Sequence, residues 1–243
     1  TGSGKSFTMA LLAWALRTSS QLAETRARRK GPEERPPSMP FALVVLLSDR
    51  RQLDQQLGDA CAGFLERNGI PSQDVCRCDG KARNLMKTLG DIASSGVVGC
   101  RVVITTKQRF DLLCPDDGRD PSALRHGALA SICRWGRVAL ICEEAHRSHF
   151  AGGRTSEVVN RLFGRHCFFR AATRAGLQPE TVSYIGFTAT PDLRALRHFG
   201  GCSAEIGADV RPVHSYHVGE AEADGVVLNV LGHYERRAWP TEG

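Results

Sequence analysis

The sequence predicts an α/β fold in which a parallel sheet is flanked by helices. Apolar runs alternate along the chain with stretches of helical periodicity, a pattern typical of strands joined by crossover helices. Thr1 to Ser6 (T-G-S-G-K-S) matches the end of the phosphate-binding loop pattern G-x-x-x-x-G-K-[ST], which leads from a strand into a helix. An adjacent acid pair, Glu143-Glu144, directly follows one of the apolar runs. These three observations together predict a phosphate-binding domain built on a parallel sheet.

The first half of the chain supplies a helix, a strand and two more helices. Residues 5–17 are predicted to form a helix that begins in the loop, because apolar residues recur there at helical spacing: Phe7, Leu11, Leu12 and Leu16. Phe41 to Leu47 is a continuous apolar run, which is typical of a buried parallel strand. Helical periodicity resumes over 50–66 and again over 81–93, so these segments are predicted to pack on the sheet.

Three further apolar runs complete the predicted sheet. They lie at 101–106, 138–142 and 182–187, and a last run, 226–231, is predicted to return to the same sheet. Two segments rich in Pro, Gly or charge are predicted to be loops: 29–40 and 111–122.

Polar residues directly follow four of the predicted strands. They lie at 48–50, 105–106, 143–144 and 188–190. Ligands of open α/β sheets collect at the carboxyl ends of the strands, so these clusters predict one site at that edge.

The loop and the acid pair predict chemistry on a phosphate group. Backbone N–H groups of Gly2, Ser3 and Gly4 would approach phosphate oxygens, the Lys5 ammonium would reach the outer phosphates, and the Ser6 hydroxyl would ligate Mg²⁺. In sites of this type the first acid helps to hold Mg²⁺ and the second orients and deprotonates the attacking water. Glu143 and Glu144 are therefore predicted to serve magnesium and to act as the base, respectively.

Net charge, cysteine spacing and the length of the apolar runs limit the partners and the compartment that we expect for this protein. A net charge of +6 allows a polyanionic partner without requiring one. The nine cysteines contain no C-x-x-C, so reduced thiols in a cytoplasmic protein are predicted rather than a disulfide framework or a zinc site. Since no apolar run approaches the roughly 20 residues that span a bilayer, no membrane association is expected.

Several motifs resemble those of superfamily 2 helicases and translocases. Glu143 to His146 (E-E-A-H) resembles the D-E-A-H box, and the longer segment 142–150 (C-E-E-A-H-R-S-H-F) resembles the D-E-A-H-R-S segment of the R subunit of type I restriction enzymes. Four other stretches are similar to that family in the correct order. They are 44–57 (its motif Ia), 102–110 (its T-T-x-Q-K-F strand end), 185–191 (its G-F-T-G-T-P motif III) and 214–226 (its segment towards the second motor domain).

This resemblance implies the first RecA-like motor domain of such a subunit over residues 1–212, with 213–243 leading towards a second motor domain. The implied activity is ATP hydrolysis, with ATP and Mg²⁺ as cofactors, coupled to translocation along double-stranded DNA. The implied partners are methyltransferase and specificity subunits, and cleavage would be done by a nuclease domain elsewhere in the polypeptide.

The resemblance also implies roles for individual residues. ATP would be bound by Gly2, Ser3, Gly4, Lys5 and Ser6, and Glu143 and Glu144 would serve magnesium and water. Nucleotide state would be coupled to DNA by His146, Thr188 and Thr190. The DNA backbone would be contacted by Arg50 and Thr106.

Two departures from the family pattern keep alternatives open. Glu143 stands where the family has Asp, which moves the carboxylate outward and is expected to weaken a site for Mg²⁺, an ion that demands near-ideal octahedral geometry. The leading Gly of the loop pattern would precede residue 1, so an N-terminally truncated domain is expected. The alternatives are another superfamily 2 DNA helicase, disfavoured by Arg147-Ser148 and Asp224-Gly225, and a degenerate nucleotide-binding remnant that does not hydrolyse ATP.

Overall fold

One parallel sheet organises the molecule. The computed structural model describes residues 4–30, 41–49, 51–78, 82–95, 99–113, 132, 136–147, 182–193, 195–196 and 211–225. Its strands are β1 (Phe41–Ser48), β2 (Val75–Arg77), β3 (Arg101–Thr106), β4 (Arg137–Cys142) and β5 (Val182–Gly186). They pair in the order β2-β3-β1-β4-β5, and every pairing is parallel. The predicted α/β fold, a parallel sheet with flanking helices, is confirmed.

Helices cover both faces of this sheet. They are α1 (Lys5–Lys30), α2 (Arg51–Arg67), α3 (Ala82–Ser94), α4 (Lys107–Asp111) and α5 (Val218–Ala223), with a short 3-10 helix at Ser72–Asp74. Side chains of α1 and α2 pack with Val44 and Leu46 of β1 on one face. Side chains of α3 and α4 pack with Leu43, Val45 and Leu47 on the other face. The strand alternation therefore divides the core into two layers, one on each side of the sheet.

Four predicted strands lie within one residue of their predicted bounds, whereas β2 was missed. Val75–Arg77 has only three residues and includes an arginine, so it carries no apolar run. It forms because β3 offers a free edge, to which β2 pairs from Val75↔Val102 to Arg77↔Ile104. The predicted strand 226–231 and most of the predicted loops, 31–40 and 114–122, lie outside the described residues.

Helix α1 is longer than predicted, since it continues from residue 17 to Lys30. Tertiary contacts hold the helix near its middle. The Arg17 guanidinium donates to Asp74 Oδ2 at 2.7 Å, and the Ser20 hydroxyl accepts a hydrogen bond of 2.8 Å from the amide of Phe41 at the start of β1. The spacing of apolar residues does not predict these two contacts, because an arginine and a serine make them.

The apolar spacing predicted the buried face of α1 in part, since Leu12 and Leu16 pack against the core but Phe7 and Leu11 do not. Phe7 and Leu11 are 60% and 50% exposed, whereas Met9, Ala10 and Ala13 are buried against the sheet. Small side chains at the contact let the helix lie close to the strands. No helix among the described residues has the length and apolar character needed to cross a membrane.

Strand register brings the predicted polar clusters together. Leu47 of β1 pairs with Thr105 of β3 on one side and with Cys142 of β4 on the other. The carboxyl ends of these three strands are therefore level with one another. The residues that follow them share one edge of the sheet, as predicted.

Candidate active site

The acid pair occupies a turn that is anchored on both sides. The amide of Glu143 donates to the carbonyl of Leu47 in β1 at 2.9 Å, and the amide of Ala145 donates to the carbonyl of Phe187 after β5 at 3.0 Å. Between these anchors Glu144 has φ 48°, in the left-handed region that non-glycine residues seldom adopt. The surrounding hydrogen bonds fix this conformation, which is the kind of local strain that concentrates at functional sites.

The described part of the loop begins at Gly4, which also has a positive φ of 72°. Among the described residues no atom lies within 4 Å of the position that a Cβ would take there. The glycine is therefore required by its backbone conformation rather than by space. Its carbonyl accepts from the amide of Thr8 at 3.0 Å and so starts α1. Gly2 and Ser3 lie outside the described residues.

The loop lysine and the second acid are in direct contact. Lys5 Nζ lies 2.6 Å from Glu144 Oε1, and the two side chains are 18% and 20% exposed. Burial acts to raise the pKa of Glu144, but the hydrogen bond and charge of Lys5, helped by His146 and Arg147, hold that pKa below its ordinary value. Glu144 is therefore a carboxylate at neutral pH. Two residues that the sequence assigned to one site meet in the structure.

Glu143 is in different surroundings. Burial raises its pKa above the ordinary value, a hydrogen bond from the backbone amide of Asp49 opposes this, and the neighbouring Glu144 charge reinforces it. Its Oε2 atom is buried and has no hydrogen-bond partner among the described residues. The hydroxyl of Ser48 is in the same condition. Ser48 alternates with Val44 and Leu46, so its side chain lies on the sheet face that α1 and α2 cover.

The thiol of Cys61 lies beside the start of α1. Its Sγ lies 3.8 Å from the carbonyl of Ser6, and burial together with the Glu143 charge raises the pKa of the thiol to about 11. The charge of Glu143 therefore acts on a thiol that lies beside the Ser6 carbonyl.

These residues fit a magnesium ion bound with phosphate. No group of three or more His, Cys, Asp and Glu side chains within the described ranges forms a metal site by itself. Mg²⁺, however, is usually held by one or two carboxylates together with phosphate oxygens and water. The buried carboxylate oxygen of Glu143, which has no partner among the described residues, matches that donor set.

The three predicted coupling residues also come together. His146 Nδ1 and Thr188 Oγ1 share a hydrogen bond of 2.7 Å, and Thr190 Oγ1 lies 3.4 Å from His146 Nε2. His146 Nδ1 is also 3.4 Å from Glu144 Oε2. A continuous series of polar contacts thus joins Lys5, through Glu144 and His146, to the segment after β5.

The two residues predicted to contact DNA gain no support from the geometry. Arg50 lies outside the described residues. Thr106 is only 1% exposed, and its hydroxyl accepts from the amide of Arg109 as the N-cap of α4. Its contact with DNA stays a prediction, although the hydroxyl already has a structural role.

Sequence reasoning missed a second set of residues at this edge. Arg147 Nη1 donates to Asp49 Oδ2 at 2.9 Å, and Gln108 Nε2 donates to the Asp49 carbonyl at 2.8 Å. Asp49 lies in one of the polar clusters that follow predicted strands, and Arg147 lies in the E-E-A-H-R segment, so the sequence pointed to each residue separately. Nothing in the sequence indicated that they pair.

Comparison with known families agrees with this site. A family profile described as SWI2/SNF2 ATPase matches residues 1–242, nearly the whole chain. The chain belongs to the SWI2/SNF2 ATPase family. Members of this family are superfamily 2 helicase-like motor ATPases, so the match supports ATP hydrolysis in general terms. Searches of curated proteins and of solved structures each found no match.

Proposed function

We propose that this SWI2/SNF2 domain hydrolyses ATP, with Mg²⁺, as the first motor domain of a type I restriction R subunit and drives translocation along double-stranded DNA. The ion pair between Lys5 and Glu144 carries the proposal, because it joins the phosphate-binding loop to the acid turn at the carboxyl edge of the sheet. Arg147-Ser148, which follow the acid pair, and Asp224-Gly225 favour this family over other superfamily 2 motors. On this view residues 1–212 form the motor domain and 213–243 lead to the next.

Lys5 acts twice in the proposed reaction. The outer phosphates of ATP compete with Glu144 for the Lys5 ammonium, because both are anionic and the ammonium is a compact charge. When Lys5 moves to the phosphates, Glu144 loses its strongest charge partner and its pKa rises. A carboxylate with a higher pKa is a better base, so nucleotide binding itself prepares Glu144 to take a proton from the attacking water.

Ser6 and Glu143 would hold magnesium, through its bound waters or directly. The ion, when bound, supplies positive charge that offsets charge developing on the transferring phosphoryl group. Glu143 would offer its buried Oε2, which has no partner among the described residues, while Glu144 would act on water once Lys5 has moved to the phosphates.

His146, Thr188 and Thr190 would transmit the nucleotide state. His146 contacts both Glu144 and Thr188, which lies after β5, so a movement of Glu144 would be passed to Thr188 through one side chain. In the intact protein we propose that this contact links hydrolysis to the grip on DNA.

The proposed partners are double-stranded DNA and the methyltransferase and specificity subunits of a restriction complex. The cytoplasm is the proposed location. Arg50 remains a proposed contact to the DNA backbone, where motors bind without reading bases.

The test is ATP turnover by the intact gene product with and without double-stranded DNA. Lys5→Ala should abolish DNA-stimulated turnover, because the substitution removes the charge that meets the outer phosphates. Lys87→Ala, which changes an exposed lysine on α3, is the matched control and should retain full activity. Turnover by the Lys5 variant within about twofold of wild type would contradict the role of the loop.

A further inference from the structure

The acid turn, residues 143–147, is held at its last residue by a long-range ion pair. Arg147 Nη1 donates to Asp49 Oδ2 at 2.9 Å, although the two residues are 98 positions apart in the chain. The Arg147 amide also donates to the Glu144 carbonyl at 3.0 Å, which closes the turn on itself. Arg147 thus connects the end of the turn that carries Glu144 with the residue that directly follows β1.

Asp49 is itself held in place from two sides. Its carbonyl accepts a hydrogen bond of 2.8 Å from Gln108 Nε2, and Gln108 lies in α4, which directly follows β3. The Asp49 side chain is 8% exposed, whereas that of Arg147 is 46% exposed. A buried carboxylate is costly unless a cation pairs with it, so the contact with Arg147 stabilises Asp49 in this position. The ion pair is therefore a fixed point at the carboxyl edge of the sheet.

Glu144 needs such a fixed point because of its backbone conformation. Its φ of 48° is unfavourable for a residue with a side chain and persists only where the surrounding contacts impose it. The amides of Glu143 and Ala145, on either side of Glu144, are each bonded to a backbone carbonyl outside the turn. Those bonds hold the start and the middle of the turn, and the Arg147 ion pair holds its end. The φ of Glu144 sets the direction of its side chain, which reaches Lys5 at 2.6 Å.

We propose that Arg147, paired with Asp49, is a positioning residue that holds the acid turn so that Glu144 is directed at the attacking water. This inference rests on the proposed function, in which Glu144 is the base. Arg147 acts through the backbone of the turn and needs no contact with nucleotide. Its loss should therefore slow hydrolysis without weakening nucleotide binding.

The experiment compares ATP hydrolysis and nucleotide binding by the intact protein in the presence of double-stranded DNA. Single-turnover hydrolysis gives the rate, and a fluorescent, non-hydrolysable ATP analogue gives the dissociation constant. Arg147→Ala and Asp49→Ala should each lower the rate by at least about tenfold, because a general base contributes about 10²–10⁴ and a displaced base retains only part of that. The dissociation constant of both variants should match that of wild type.

Two double variants separate positioning from general damage. In the Glu144→Gln background, Arg147→Ala should cause no further loss of rate, because Arg147 acts through Glu144. Arg147→Ala combined with Asp49→Ala should be no slower than the slower single variant, because both substitutions remove the same ion pair. A further loss in either case would overturn the proposal. Arg67→Ala, which changes an exposed arginine of α2, is the matched control and should alter neither the rate nor the dissociation constant.

The remaining outcomes are also decisive. If hydrolysis and nucleotide affinity fall together in Arg147→Ala and Asp49→Ala, the damage is general and the positioning role is wrong. If Glu144→Gln slows hydrolysis but the two single variants match wild type, the positioning role is again wrong and the proposed function survives. If Glu144→Gln leaves hydrolysis unchanged, Glu144 is not the base and both proposals fall. Should Arg147→Ala unfold the protein, as a melting curve would reveal, Asp49→Ala decides alone, because the half-exposed Arg147 that it leaves behind is hydrated.

Discussion

Glu143 and Glu144 are adjacent in sequence but occupy opposite electrostatic surroundings. Burial and the neighbouring acid raise the pKa of Glu143, whereas Lys5 holds the pKa of Glu144 below its usual range. The left-handed φ of Glu144 turns the chain between them, so the two carboxylates face different partners. These different surroundings support the two proposed roles, Glu143 towards metal and Glu144 towards water.

The assignment of Glu144 predicts a specific defect in Glu144→Gln. The variant keeps the size of the side chain and removes its basic oxygen, so hydrolysis by the intact protein should fall at least ~10²-fold. Nucleotide affinity should stay equal or increase, because the neutral amide no longer competes with phosphate for Lys5. Single-turnover ATP hydrolysis and equilibrium nucleotide binding measure the two effects separately.

A collapse of nucleotide affinity with surviving hydrolysis would contradict this assignment. The two acids would then have exchanged roles. Glu66→Gln, an exposed glutamate on α2, is the matched control and should change neither quantity.

The extra methylene of Glu143 predicts that Glu143→Asp raises the ATPase rate of the intact protein. The carboxylate shifts by roughly 1.5 Å, about one C–C bond, and Mg²⁺ tolerates such a displacement poorly. Wild-type activity should also recover in part with Mn²⁺, which accepts more distorted geometry. ATPase rates titrated with each metal test both expectations, and equal rates for the two proteins in both metals would show that Glu143 is already well placed.

At the residue scale the sequence predicted the members of the site better than their contacts. Lys5, Glu144 and His146 were predicted to share a site because their motifs are short and local. The pairing of Asp49 with Arg147 joins two segments 98 residues apart. It depends on strand order and register, which single residues do not encode.

At the scale of elements, α1 is held to the sheet by a buried ion pair. The Arg17 side chain is 4% exposed and bonds Asp74, which also bonds Arg101 at the start of β3. Asp74 thereby ties α1 and the 3-10 helix before β2 to the edge of the sheet. Helix α1 begins in the phosphate loop, so this contact near its middle helps to fix the position of Lys5.

Asp74→Ala is accordingly predicted to destabilise the protein by about 3 kcal/mol, because it leaves the buried Arg17 guanidinium unpaired. Asp59→Ala is the matched control. It removes an ion pair with Arg77 whose aspartate is 66% exposed, and its cost should be below about 1 kcal/mol. Urea denaturation of the intact protein, followed through the transition of this domain, compares the two variants. Equal midpoints would show that Asp74 contributes no more than a surface pair.

Elements with an apolar run or strong periodicity were predictable, and those defined by tertiary contacts were not. Strands β1, β3 and β4 are largely buried and apolar, and β5 is partly buried with apolar residues among its five, so their composition predicted them. Strand β2 forms because β3 offers it a partner, and α1 is anchored near its middle by contacts with Asp74 and with the amide of Phe41. A local pattern contains no information about such partners.

At the scale of the whole molecule, the site lies at the exposed edge of the sheet. The loop, the acid turn and the segment after β5 are all at the carboxyl ends of the strands, and all remain partly exposed there. A motor of this class needs a second domain to close over ATP at such an edge. We therefore expect a polypeptide limited to residues 1–243 to show no translocase activity.

The intact gene product is predicted to displace a triplex-forming oligonucleotide from double-stranded DNA in an ATP-dependent manner. A translocase that moves along duplex DNA removes the third strand without separating the duplex, because its grip is on the backbone rather than on base pairs. Lys5→Ala is the matched control and should leave the triplex intact. Two signals are followed in parallel, the fluorescence of a labelled third strand and the opening of a forked duplex. Together they distinguish a translocase from a helicase that separates strands. Opening of the fork without triplex displacement would favour a superfamily 2 helicase over the proposed translocase. ATP binding without DNA-stimulated turnover would instead identify a nucleotide-binding module that no longer acts as a motor.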